Sequence, residues 1–229
     1  MTMSRLAQWH DACDAAIKSA ADGIGVRARK IFCGVTVALA LIAPLSAGAA
    51  PVTVGGPFTL VAPDGTTVTE RTYAGKWLLV YFGFTFCPNT CPTALLDMAN
   101  ALQKLGPDAG KVQVLFITVD PQRDTPAVME KYTQSFDPRI VGLTGTAGQI
   151  AAVAKEYGAY YAPHRTGPGP DDYVMDHSTF IYLMDPHNKF VRGFAADALA
   201  DEIAEGVRKA IARSSQGMSD SGIAKPTIR

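Results

Sequence analysis

The chain has 229 residues, 48% of them hydrophobic and 18% charged, with 21 basic side chains against 21 acidic ones. A formal charge of zero leaves no electrostatic footprint for a nucleic-acid binder, and this much apolar content with so little charge excludes wholesale disorder. Four cysteines are too few for a disulfide-built scaffold, so the fold rests on an apolar core and the thiols are free for chemistry.

Residues 1–26 are a mixed polar and Ala-rich stretch containing Trp9, His10 and Cys13, with no recognisable site. From Arg27 the sequence reads Arg-Ala-Arg-Lys and then runs without charge from Ile31 to Ala50. Basic followed by apolar is a targeting pattern, so 27–50 reads as a signal or transmembrane anchor segment. About 20 residues at 1.5 Å each just reach across a bilayer core of roughly 30 Å, whereas the strongly apolar part, Ile31 to Ala43, has the length of a signal-peptide core. Ala47-Gly48-Ala49 fits a small-x-small cleavage site, and the long stretch ahead of the basic cluster fits a retained anchor; both stay open. In either case 1–26 is a cytoplasmic extension and everything beyond Ala50 is exported, to the periplasm in a bacterium, as a membrane-held or a soluble domain. Cys33 reads as a small membrane-buried side chain. Residues 51–57 then form a linker, 58–213 a single domain large enough to be stable without crosslinks, and 214–229 a tail read as disordered. The exported part holds 16 basic and 18 acidic residues, which predicts no strong attraction to acidic lipid or nucleic acid.

Within the domain, Phe58 to Ala62 and Thr66 to Thr69 flank the turn signal Pro63-Asp64-Gly65 and predict a hairpin. Trp77 to Phe84 is a continuous apolar and aromatic run, the pattern of a strand buried on both faces. Thr93 to Leu105 places Leu95, Leu96, Ala99, Leu102 and Leu105 at helical spacing and stops at Gly106-Pro107. Val112 to Val119 is a second buried strand, and Thr125-Pro126 opens a helix to about Ser135, with proline at the first helical position where its missing donor costs nothing. Ile140 to Leu143 reads as a short strand, Thr146 to Tyr157 as a helix, and Gly158 to Asp172, with three prolines, as a long loop. Val174 to Met184 and Lys189 to Phe194 flank Asp185-Pro186-His187-Asn188 as a hairpin, and Asp197 caps a last helix to about Arg213. Buried strands separated by helices, then a hairpin and a helix, predict an α/β domain: a central mixed sheet flanked by helices, an order that a thioredoxin-like fold satisfies.

Chemistry concentrates in Gly83-Phe84-Thr85-Phe86-Cys87-Pro88-Asn89-Thr90-Cys91-Pro92. Thiols four residues apart converge when one helical turn or a tight loop brings them to the same side. Pro92 follows Cys91 where a first-turn proline belongs, which puts Cys91 at a helix N-terminus, where the dipole and free amides favour a thiolate. Three intervening residues, not two, depart from the thioredoxin-type C-x-x-C, and the C-x-x-C-H of a haem attachment is missing. A peroxiredoxin-type P-x-x-x-T-x-x-C would need proline and threonine where Val80 and Phe84 stand. C-x-x-x-C by itself is a metal signal that needs a further ligand.

His187 lies in a turn beside Asn188 and Lys189 and reads as solvated, and His164 sits in the Pro/Gly loop. His177 differs, because it sits in Tyr173 to Thr179, the segment immediately before the apolar run Phe180 to Met184. In a thioredoxin-like sheet that entry faces the first strand-to-helix turn, across 86 residues of sequence from Cys91.

At this point the chain resembles the Sco/SenC family. The Cys-Pro-x-x-Cys-Pro stretch from Cys87, the segment Asp120-Pro121-Gln122-Arg123-Asp124-Thr125-Pro126 and the pair Asp176-His177 look like its three signatures, in order, over nearly all of Phe58 to Arg213. The resemblance implies a membrane-tethered, thioredoxin-like protein that binds a copper ion and helps assemble the binuclear copper centre of cytochrome c oxidase. It implies copper ligands at Cys87, Cys91 and His177, and as partners the oxidase's copper-binding subunit and another periplasmic copper chaperone or a thioredoxin-like reductase. The residues agree with it: two thiolates and an imidazole are a soft, low-coordinate set that suits Cu(I), whereas structural zinc generally closes four positions.

Asp176, Asp120 and Asp124 are candidates for supporting carboxylates that orient the histidine or nearby backbone. Asp120 has a rival reading as a turn former before Pro121, and Asp124 as a cap of the following helix. Arg123 pairs with either acid or contacts a partner. The function expected is a binding protein, a copper metallochaperone. The alternative is an enzyme, a thiol-disulfide oxidoreductase working through Cys87 and Cys91 to reduce a client's copper-binding cysteines. Thioredoxin-type reductases usually present a cis-proline where this chain has His177-Ser178, which favours the metal.

Overall fold

A computed structural model describes residues 54–220, with side chains described to 216. The expected N-terminal extension, the signal or anchor segment, residues 51–53 of the linker and the last nine residues of the tail lie outside the described residues. Among the described residues no helix is long and apolar enough to cross a membrane.

The central sheet has five strands in the order β5-β4-β3-β8-β9. β3 (Trp77–Gly83) lies in the middle, parallel to β4 (Val112–Thr118) and antiparallel to β8 (Phe180–Met184); β5 (Ile140–Leu143) continues the parallel side and β9 (Phe190–Ala195) closes the other. All seven residues of β3 are buried, as the unbroken apolar run requires of a strand covered on both faces. Alternate residues divide between those faces. Phe82 meets Tyr157 of helix α3 (Ala147–Tyr157) edge-on, while Tyr81 stacks on Phe116, which meets Tyr132 of helix α2 (Pro126–Gln134). Helix α1 (Thr90–Leu105) packs along helix α4 (Ala200–Asp220). A separate hairpin, β1 (Thr59–Val61) with β2 (Thr67–Thr69), turns at Gly65, whose φ of +81° explains the glycine. It ties to the rest through the pairing of Val61 with Thr144.

Local signals set the helix ends. The Thr125 hydroxyl accepts from the Val128 amide with Pro126 at the first helical position of α2, Thr146 and Gln149 form a capping box on α3, and Gly158 closes α3 in the left-handed conformation.

The structure departs from the sequence reading in five places. The run Val174 to Met184 is not one strand: it breaks at Ser178-Thr179 into β7 (Tyr173–His177) and β8. The loop from Gly158 contains a strand, β6 (Tyr161–Arg165), which among the described residues pairs only with β7, in a two-stranded ribbon. Pro163 is tolerated there because this is an edge. Leu96, counted with the apolar face of α1, is 53% exposed. Asp197 does not cap the last helix, which begins at Ala200; the acceptor for the Ala200 amide is Asp97 of α1, at 3.2 Å. Finally, that helix continues to Asp220 instead of stopping near Arg213, because no proline intervenes and each added residue gains a main-chain hydrogen bond.

Asp97 thus anchors the start of α4 from a different helix, and Asp97→Ala is expected to destabilise the domain by about 1 kcal/mol, as for other lost N-terminal caps, read as a lower urea midpoint with an unchanged slope.

Candidate metal centre

The chain leaves β3 at Gly83 and must turn at once into α1. Val119 donates its amide to the Gly83 carbonyl at 2.8 Å, and the Cys87 amide donates to the Phe84 carbonyl at 3.2 Å, which curls the loop back on itself. Asn89 is the N-cap of α1, so Cys91 is its second residue. The Cys91 amide, one of the free donors of that first turn, points at Cys87 Sγ at 3.4 Å. Glycine at position 83 is what lets the sulfur in: a Cβ there would lie 2.6 Å from Cys91 Sγ and 2.7 Å from the Phe116 ring.

His177 arrives from the other end of the sequence as the last residue of β7. Its Nδ1 lies 2.9 Å from the Ser178 carbonyl, an acceptor only, so Nδ1 carries the proton and Nε2 presents its lone pair. Nε2 stands 3.5 Å from Cys91 Sγ. The edges of Tyr81 and Phe84 pack against the imidazole, with ring centres 6.1 and 5.8 Å away. Cys87 Sγ, Cys91 Sγ and a His177 nitrogen all lie within 4.8 Å of one another, and both cysteines are free thiols. Cys91 is fully buried; Cys87 and His177 are half-buried.

The two thiols are electrostatically unlike. The Cys91 thiol donates to Cys87 and holds it well below the ordinary thiol range; the amides of Cys91 and Asn89 add to this, against the cost of burial. Cys91 is pushed up, first because its proton is shared with Cys87 and then because it is buried. Metal-free, the pair therefore carries a thiolate on its accessible member.

Two of the three acids tie the segments around the site together, and the third stands apart. Asp124 is fully buried and does not cap α2, a task left to Thr125. Its carboxylate accepts from the Thr85 amide at 3.1 Å, from the Thr85 hydroxyl, and from the Thr118 hydroxyl at 2.6 Å, so it pins the cysteine loop to the end of β4. Burial pushes its carboxyl up, and these hydrogen bonds pull the other way. Asp120 is also buried; it accepts from Arg123 Nε and from the Tyr173 hydroxyl at 2.8 Å. Asp176 is exposed and faces His164 at 4.0 Å. The Nδ1 of His177 meets the Ser178 carbonyl, so a backbone group orients the ring where a carboxylate was expected. The roles of Gly83, Tyr81 and Ser178 at the site do not follow from the sequence alone. Of these only Gly83, the one residue without a side chain in the run Trp77 to Phe84, carried a local signal. His187 is exposed, and Phe86 is 59% exposed beside the thiols.

Two thiols and an imidazole gathered where the central strand of a thioredoxin-like sheet passes into its helix define a class of soft-metal and thiol-chemistry proteins. The SCO1/SenC family model matches residues 46–212, and the chain belongs to that family. It is 42% identical over 167 residues to the mitochondrial SCO1 homolog 1 of Arabidopsis thaliana, covering 72% of this chain and 49% of that protein. It is likewise 42% identical over 160 residues to SenC of Rhodobacter capsulatus, covering 70% of this chain and 72% of that one. The chain thus spans about half the length of the Arabidopsis relative. Among solved structures, Bradyrhizobium japonicum ScoI with copper bound superposes with a TM-score of 0.63 at 43% identity, covering 68% of this chain and 98% of that one.

Alkylation should expose the asymmetry between the thiols. Because the thiolate is the nucleophile and the Cys87 thiol is held low, peptide-mapped modification of Cys87 by iodoacetamide should stay nearly constant from pH 8 to pH 6, where an ordinary thiol slows roughly tenfold per pH unit. A tenfold-per-unit slope at Cys87 would contradict the assignment. Asp124→Ala, which strands the Thr85 and Thr118 donors, should cost roughly 1–3 kcal/mol by urea unfolding.

Proposed function

We propose that this protein is a copper metallochaperone: Cys87, Cys91 and His177 hold Cu(I) and pass it to the binuclear copper centre of cytochrome c oxidase during assembly. The observation that carries this reading is the convergence of the three donor atoms within 4.8 Å from segments 86 residues apart. Two sulfurs and one imidazole match the softness and low coordination number that Cu(I) prefers. With Nδ1 already committed to Ser178, Nε2 is the nitrogen presented to the metal. Transfer proceeds by ligand exchange, without change of oxidation state, as a thiolate or imidazole of the copper-binding oxidase subunit replaces one protein ligand after another. Exchange needs access, and Cys87 and His177, the half-buried ligands, supply it. The copper-bound state of the Bradyrhizobium relative supports the same reading. In this role the domain works outside the cytoplasmic membrane, tethered or released according to the fate of residues 27–50, and receives its metal from another exported copper carrier.

The half-buried Cys87 thiolate favours a second reading, a thiol-disulfide oxidoreductase that reduces the client's copper-binding cysteines. It uses the same sulfurs but has no need of the imidazole, so His177 separates the two. Measured by competition with a chromophoric chelator, the Cu(I) affinity of His177→Ala should fall by at least the roughly 10–100-fold typical of losing a supporting partner alone. Reduction of a client disulfide should persist in the same variant, whereas Cys87→Ser loses both activities. Unchanged Cu(I) affinity in His177→Ala would remove the imidazole from the site and leave the reductase reading.

A further inference from the structure

β7 delivers His177, yet among the described residues its only strand partner is β6, outside the central sheet. A two-stranded ribbon is marginal by itself in water, so other contacts must hold it against the cysteine loop. Beyond the packing of His177 itself against Tyr81 and Phe84, several of those contacts converge on one side chain. Arg123, in the turn after β4, donates through Nε to Oδ2 of Asp120 and through Nη1 to the main-chain carbonyl of Tyr173 in β7, the latter at 3.0 Å. Its guanidinium carbon lies 3.8 Å from the centre of the Tyr173 ring, 4.7 Å from that of Phe86 and 5.9 Å from that of Phe84. Tyr173 completes the set by donating its hydroxyl to Oδ1 of Asp120 at 2.8 Å. One planar group thus touches the cysteine loop, the turn after β4 and the strand that carries the histidine.

We propose that Arg123 is a positioning residue of the centre, a clamp that fixes β7 against the cysteine loop so that His177, four residues beyond Tyr173, stands within reach of the sulfurs. The inference rests on the three-ligand reading of the site. A counter-charge for Asp120 would need only a cation. The contacts here need a fork with two directed donors and a flat face for stacking, which arginine has and lysine lacks. Arg123 Nη2 is buried without an acceptor among the described residues, an unmatched donor that a simple counter-charge would have avoided.

Arg123→Lys keeps the charge and removes the fork; Tyr173→Leu keeps the pair of Arg123 with Asp120 and removes the stacked ring. Both are compared with wild type and His177→Ala, metal-free by amide hydrogen exchange, and loaded with Cu(I) by chelator competition and by the imidazole scattering in copper X-ray absorption. The clamp predicts faster exchange at residues 173–177 in both variants with β3 and β4 unchanged. It also predicts retained sulfur scattering, lost imidazole scattering and a roughly 10–100-fold lower Cu(I) affinity, approaching that of His177→Ala. Wild-type exchange and wild-type imidazole scattering in Arg123→Lys would overturn it and leave Arg123 as a counter-charge. If His177→Ala itself changes neither affinity nor scattering, the three-ligand reading fails instead, and the exchange rates at 173–177 still decide whether the clamp exists. Should Arg123→Lys not fold, Tyr173→Leu separates the clamp from the counter-charge by the same measurements.

Discussion

Everything at the site depends on β3 having β4 on one side, parallel, and β8 on the other, antiparallel. Because the directions differ, the end where β3 hands over to the cysteine loop is also the end where β8 begins, and the link from β7 must arrive there. The pairing of Tyr81 with Ile181 fixes the register. A slip of one residue would turn Tyr81 and Gly83 to the opposite face and close the space that Cys91 Sγ occupies. Joining segments 86 residues apart costs little beyond what the sheet already enforces, since loop-closure entropy grows only with the logarithm of length.

Proximity becomes geometry through buried polar ties. Asp124 draws Thr85 and Thr118 together, so the loop carrying Cys87 cannot drift from the end of β4. The Ser178 carbonyl fixes the tautomer of His177, and the aromatic edges of Tyr81 and Phe84 fix the tilt of its ring. The Cys91 thiol holds Cys87 toward the thiolate, while Cys91 itself is pushed toward its protonated form. A monovalent soft cation entering such a pair takes the place of one proton instead of two, which lowers the charge rearrangement that metal uptake demands.

Much of this was legible because it is local. The unbroken apolar run of β3 and the largely apolar run of β4 declare burial, the Thr125-Pro126 and Thr146 signals declare helix starts, and the cysteine spacing with Pro92 declares a thiol pair at a helix N-terminus. What was not legible is tertiary. Tyr161–Arg165 contains a proline and has no buried face, so only its pairing with β7 makes it a strand. The break at Ser178-Thr179 falls in the polar stretch Asp176 to Thr179, but its cause lies elsewhere: Ser178 gives its carbonyl to His177 and exchanges hydrogen bonds with the Tyr160 backbone. Asp197 looked like the cap because it is near in sequence, whereas Asp97, 103 residues before Ala200, supplies the acceptor. Asp120 and Asp124 were recognisable as site-supporting acids, but a carboxylate does not announce its donors.

The burial of the ligands is itself functional information. Cys91 lies at the floor of the site, its sulfur beside Gly83 of the central strand, while the half-buried Cys87 and His177 form its rim. In the proposed role an incoming ligand therefore reaches the metal past Cys87 or His177, and the bond to Cys91 is the last that exchange can replace. A site with three equally exposed ligands would release its metal to any thiol that collided with it. One with three buried ligands would release it to none. In the proposed role, one buried sulfur with the other two ligands on the loop and ribbon above it would let the centre retain copper against small thiols and yield it to a partner whose surface fits the rim.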